Sequence, residues 1–170
     1  MKQIITSLIF LFSTCCLFAQ NIVADIEFGK TSIEEARPKL IYKFGEPVID
    51  EDEILIFKDV TYCGVFFDRA WFCFQRSTTN NYFYKCWFIR NNLKTAASAK
   101  EIREKIVDKI GDKYKILSKI NSQGLKEYFV GVSPTDSTKP YFKICANKFA
   151  SNDYSASVEY GPFDYIKENF

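Results

Sequence analysis

Apolar residues recur along this chain in two rhythms, one of period three to four and one of period two, and their order sets the expected fold. Ile33, Ala36, Leu40, Ile41 and Phe44 follow helical spacing. Ser32 and Glu35 form a capping box at the start, hydroxyl and carboxylate satisfying N–H groups that a first turn leaves unpaired. Gly45 suits a left-handed stop and Pro47 blocks continuation, so the helix should end at Phe44. Pro38 lies inside it and removes one hydrogen bond, which predicts a kink or a late start. The same grammar returns with Ser98 and Glu101 as the box, Ala99, Ile102, Ile106 and Ile110 as the stripe and Gly111 as the stop. A shift of 66 positions lays Ser32, Glu35, Arg37, Lys39, Lys43 and Gly45 on Ser98, Glu101, Arg103, Lys105, Lys109 and Gly111. Leu40, Ile41 and Phe44 then fall on Ile106, Val107 and Ile110, which predicts an internal duplication over about 21–92 and 95–161.

Each helix is followed by aromatic and β-branched runs broken by turn residues. The first set is Ile54 to Lys58, Tyr62 to Phe67, Ala70 to Gln75 and Phe83 to Arg90, with turns at Lys58-Asp59, Asp68-Arg69 and Thr78 to Asn81. The second is Tyr114 to Ile120, Tyr128 to Val132, Tyr141 to Asn147 and Ser155 to Tyr160, with turns at Asn121 to Gly124, Pro134 to Lys139 and Ser151 to Asp153. A short strand over Ile22 to Ile26 precedes the first helix. Connections this short join antiparallel neighbours only. The expected fold is α+β: an antiparallel sheet of about eight strands with two helices on one face, in a single domain over residues 21–170.

The first twenty residues stand apart. Lys2 gives a positive start, Ile4 to Phe18 form an apolar run too short to span a bilayer, and Ala19 offers a small residue for cleavage. This reads as a signal peptide over 1–20, hence a protein exported to the periplasm or beyond, with no transmembrane segment in the mature chain. Cys15 and Cys16 open a lipid-anchored alternative, although Phe12-Ser13-Thr14 matches a lipoprotein box poorly. The formal charge of +2, with 23 basic and 21 acidic residues interspersed, leaves no footprint for nucleic acid. Histidine is absent, which removes Ser-His-Asp and Cys-His mechanisms and histidine-ligated zinc. No motif calls for a cofactor.

The Gly29-Lys30-Thr31-Ser32-x-x-Glu35-Ala36 opening, the Lys43-Phe44-Gly45-Glu46-Pro47 stop and the aromatic hairpin from Tyr62-x-Gly64-x-Phe66 to Phe72-x-Phe74 resemble the beta-lactamase inhibitor protein family. That resemblance implies an exported tandem repeat with its helices behind one sheet. The family's disulfide layout and inhibitory loop have no match in this chain, so its activity does not carry over. The opening and stop are also similar to small exported proteins of unknown function, often from bacteria of the Bacteroides type.

Four cysteines remain after cleavage: Cys63, Cys73, Cys86 and Cys145. An even number in an exported chain allows two disulfides, and a symmetric hairpin around Thr78 to Asn81 would set Cys73 opposite Cys86. The alternative is four buried thiols acting as small apolar side chains. The acidic run Asp50, Glu51, Asp52 and Glu53 offers carboxylates for calcium or acid/base work but fits no calcium-loop template, and reads more simply as a solvated turn. Ser133-Pro134-Thr135-Asp136 reads as a turn with no base near the serine.

A turn at Asp68-Arg69 would put Cys63, Val65, Phe67, Phe72, Phe74, Phe83, Trp87 and Ile89 on one face of the sheet. Tyr62, Phe66, Trp71, Tyr84, Phe88 and Arg90 would then share the other. The second set has the aromatic-plus-arginine composition of contact surfaces. It is expected either to bind a protein or glycan of the cell envelope or to be covered by another part of the molecule or a second copy. The functional classes left are a non-enzymatic exported binding or inhibitor-like module, a carboxylate-dependent enzyme acting on glycans, and a lipid-anchored envelope component.

Overall fold

The computed structural model describes residues 22–76, 80–111, 116–131 and 141–161. Residues 1–20, the Thr78 part of one expected turn and the Pro134 to Lys139 turn with Ser133 lie outside them. Chain order begins with a small hairpin, β1 (Ile22–Val23) and β2 (Ile26–Glu27), then helix α1 (Ile33–Phe44). A meander follows: β3 (Ile49–Glu51), β4 (Ile54–Tyr62), β5 (Val65–Arg76) and β6 (Asn81–Leu93). Helix α2 (Ala96–Ile106) runs on into a π-helical turn over Val107–Gly111 and leads to β7 (Ile116–Ile120), β8 (Lys126–Val130), β9 (Phe142–Ala150) and β10 (Asp153–Tyr160). The eight strands from β3 onward form one antiparallel sheet in the order β3-β4-β5-β6-β10-β9-β8-β7. The α+β class and the eight-stranded sheet are as the sequence pattern predicts.

The helix ends test local chemistry directly. Ser32 Oγ accepts the Glu35 N–H and Glu35 returns the bond to the Ser32 N–H, both at 3.3 Å, and Gly45 takes φ 81° at the stop. The helix runs unbroken through Pro38, forgoing the bond that position would give to Glu34. The second helix departs from expectation. Thr95, not Ser98, is its cap: Thr95 Oγ1 accepts the Ser98 N–H at 3.1 Å, so the helix begins before Ser98 and that residue sits within its first turn.

Both helices cover the same sheet face. A register row crosses six strands as Phe57, Ala70, Phe88, Val158, Ile144 and Tyr128. At one end Phe44 of α1 packs on Phe57, Phe72 and Phe88, with ring centroids 5.7, 5.9 and 6.2 Å apart. At the other, Arg103 of α2 lies 5.4 Å from the Tyr128 ring and Glu104 accepts the Tyr128 hydroxyl at 2.7 Å. Residues of both helices and of β4, β5, β6, β8, β9 and β10 join one buried cluster.

The strand breaks differ from the sequence reading, and two faces change with them. Lys58-Asp59 and Asp68-Arg69 are not turns; the chain reverses at Cys63-Gly64 instead, with φ 49° and 74° and Tyr62 paired to Val65. Two consecutive left-handed residues match the right-handed twist of a hairpin, which Asp-Arg does not supply. Between the pairs Lys58–Arg69 and Val60–Phe67, Asp59 and Asp68 mark a shared kink in β4 and β5, with Asp59 at φ 53°. Side chains that face the core are Phe57 then Val60 on β4, and Phe67 then Ala70 on β5, so alternation slips by one in both strands together. A second slip occurs on β6, where Tyr84 is an extra residue between the pairs Phe74–Phe83 and Cys73–Lys85.

These slips correct the expected faces. Phe88 is fully buried beneath the helices, and Tyr62 stacks on it at 4.2 Å with its hydroxyl 3.5 Å from that of Tyr160, so neither belongs to an open surface. Trp87 and Ile89 move the other way. Cys73 and Cys86 are also not opposite: Cys73 pairs with Lys85 and Cys86 with Phe72, and both are thiols. The hairpin pairs Arg76 with Asn81, which already sets the two cysteines apart, and the extra residue in β6 puts them on opposite faces. Replacing Phe88 by Ala should therefore cost about 3–5 kcal/mol in urea unfolding, whereas Phe66→Ala, at a side chain 43% exposed, should cost under about 1 kcal/mol.

Candidate functional site

The face without helices carries its own register row, running through all eight strands as Ile49, Ile56, Trp71, Trp87, Glu159, Lys143, Phe129 and Leu117. At its centre Glu159 binds two lysines, Lys85 at 2.8 Å and Lys143 at 3.0 Å, and Lys85 Nζ stands 4.0 Å from the centre of the Trp87 ring. Burial alone would raise the Glu159 pKa, but hydrogen bonds from Lys85, Lys143 and the Trp87 indole overcome it and hold the carboxyl below its ordinary 4.5. Lys143 responds in kind: burial works against its charge, and its bond to Glu159 outweighs that and raises its pKa. This half-buried triad lets polar side chains lie at the middle of the sheet without loose charge.

Beside the row lies a groove of about 580 Å³. Trp71, Ile89 and Asn91 line it from the sheet, together with Arg69. Lys58, Asp59 and Asp68 enter from the kink in β4 and β5, and Phe149 and Asp153 from the β9–β10 hairpin. Asp59 and Asn92, which also borders it, hold left-handed backbone at φ 53° and 56°, a conformation that Asp and Asn tolerate better than most residues. Asp68 is committed: one oxygen accepts Arg90 at 2.8 Å and the other the Asn91 N–H at 2.6 Å. Phe149 is 69% exposed, an apolar ring that the core does not use.

Of the residues expected to form a surface, Trp71 lines the groove, and Arg90 lies against it through Asp68 with its guanidinium 4.8 Å from the Phe66 ring. Tyr84 is half-buried at the β6 bulge; burial first, then the nearby Cys73 and Glu53, raise its pKa. Burial likewise lifts Cys73 to about 11, so this thiol is a poor nucleophile at neutral pH. Asp50 of the acidic run is held by Arg37 at 2.9 Å, on the edge strand β3. Among the described residues no group of three or more Cys, Asp or Glu is placed to hold a metal, and no helix is long and apolar enough to cross a membrane. Phe149 went unnoticed in the sequence, though Lys143, Cys145, Asn147 and Phe149 alternate along β9 and place it on this face.

Trp71 is half-buried, and its indole nitrogen is shut off from solvent with no acceptor among the described residues. Such an orphan costs about 1–3 kcal/mol. Comparison with family models, with curated proteins and with solved structures gives no match, so the reading of this site rests on its own geometry.

Two outcomes follow from the row. Trp71→Phe deletes the orphan N–H and should unfold in urea within about 0.5 kcal/mol of the parent or above it, while Trp87→Phe loses its bond to Glu159 and should fall below. Because the folded-state pKa of Glu159 is lowered, its stabilisation is present at neutral pH and down to the ordinary value of 4.5, and is lost as pH falls through the lowered value. Glu159→Gln should accordingly lower stability at pH 7 by about 1–2 kcal/mol, and its loss of stability on acidification should be shallower than the parent's.

Proposed function

We propose that this is an exported, non-enzymatic binding module that uses the groove on the helix-free face to hold a component of the cell envelope. The observation that carries the reading is Phe149: an exposed aromatic ring on a hairpin beside Trp71, at a concavity already ringed with polar side chains. Apolar rings left in water next to a concave polar site are characteristic of contact surfaces. The signal peptide over residues 1–20 supplies the route to that compartment. The mirrored strand order about the β6–β10 seam, with each helix leading into four strands, supports reading the chain as a duplicated unit.

A second reading, an enzyme acting on glycans, draws on Asp59 and Asp153, which border the same groove and form no ion pair among the described residues. One experiment separates the two. Immobilised mature protein should retain an envelope macromolecule from extract, and Phe149→Ala should release it. Equal retention by wild type and Phe149→Ala would sink the groove as the site. Release of reducing ends from envelope glycans, lost in Asp153→Asn, would put the enzyme in place of the binder.

A further inference from the structure

We infer that the occupant of the groove is a neutral oligosaccharide; the inference rests on the reading of the groove as the binding site and adds the class of its ligand. The backbone around the groove offers a peptide nothing to pair with. Trp71, Arg69, Ile89 and Asn91 project from β5 and β6, which are interior strands paired on both sides, so no free strand edge lies in the groove to add an extended peptide. A helix laid into the groove would want a continuous apolar stripe. Here the apolar lining is Trp71, Ile89 and Phe149 alone, with polar side chains around them.

The charges around the groove balance. Arg90 neutralises Asp68, which leaves Lys58 and Arg69 facing Asp59 and Asp153 across the site. Two cations against two carboxylates leave the lining itself without net charge to attract a phosphate, an acidic glycan or a basic peptide. What the lining does supply is planar polar groups: the amides of Asn91 and Asn92, the carboxylates of Asp59 and Asp153, and the Arg69 guanidinium. Such groups donate and accept in one plane and match adjacent hydroxyls of a sugar ring, while the Trp71 and Phe149 rings offer flat apolar surface for its C–H face. The volume, about 580 Å³, lies within the range of small-ligand sites.

The test is calorimetric titration of the mature protein with neutral oligosaccharides of glucose, mannose and N-acetylglucosamine, with oligogalacturonate as an acidic probe. At least one neutral series should bind with an affinity that hardly changes between about 50 mM and about 500 mM salt. Phe149→Ala and Asp153→Asn should each weaken it by about tenfold or more, and Phe66→Ala, outside the groove lining, should bind as the parent does. Binding of oligogalacturonate alone, or of no sugar, overturns the inference. If no sugar binds and yet the parent captures an envelope protein that Phe149→Ala releases, the site stands and the ligand class falls. If groove substitutions change no binding of any kind, both fall.

Discussion

The contact on which the rest of the molecule depends is the one Phe88 makes at the centre of the sheet. Its ring meets Phe44 from α1, Phe67 and Phe72 from β5, Tyr62 from β4 and Tyr160 from β10, all with centroids between 4.2 and 6.5 Å. One side chain thus ties the first helix to both meanders across the β6–β10 seam. Aromatic rings in edge-to-face and stacked pairs add about 0.5–1.5 kcal/mol per pair beyond the area they bury. With Phe88 fixed inward, strict alternation commits Trp87 and Ile89 to the opposite face. The groove is therefore a consequence of core packing: the residues that line it from β6 are those the core turned away.

That opposite face faces a difficulty the core does not. A sheet eight strands wide leaves its middle half-buried by its own side chains even with nothing packed on top. A lone charge there would lose solvation it could not recover. Glu159 and Lys143 resolve this by standing in register on neighbouring strands, while Lys85 reaches the carboxylate diagonally from β6 and the Trp87 indole is a further donor to it. The net charge of the triad is one positive unit at neutral pH. It sits one register step from Trp71 through Trp87, whose ring lies edge-on to that of Trp71 at 6.3 Å.

Much of this architecture is legible in the sequence, and the failures have a common cause. Helix ends are written in single residues with specific bonding roles, so Ser32, Glu35 and Gly45 declare α1 unambiguously. At α2 two hydroxyls compete within one turn, and Thr95 wins the cap while Ser98 donates to it, which no spacing rule separates. Strand faces depend instead on a running count, and one slip reverses every later residue. Asp59, Asp68 and Tyr84 each sit at such a slip. Polar pairs such as Lys58-Asp59 and Asp68-Arg69 look like turns because they interrupt apolar runs, yet paired kinks in neighbouring strands interrupt them equally well. The glycine after Cys63 was the better turn signal, since Gly64 supplies the positive φ that a two-residue hairpin needs.

The same kink explains why the groove lies where it does. A regular alternation through β4 and β5 would have kept Asp59 and Asp68 in a flat, continuous surface. The left-handed backbone at Asp59 instead turns the two strands together, and Asn92 does the same on β6. Three neighbouring strands thus bend near one end of the sheet, and the β9–β10 hairpin with Phe149 and Asp153 borders the resulting hollow. Left-handed backbone at a non-glycine residue is unfavourable, and an exposed phenyl ring forgoes the stabilisation its burial would bring. Neither feature is required to seal the core, which closes on the other face around Phe88. Their coincidence at one concavity, next to a tryptophan whose N–H has no acceptor among the described residues, is the physical reason to place function there and not along the rest of the sheet.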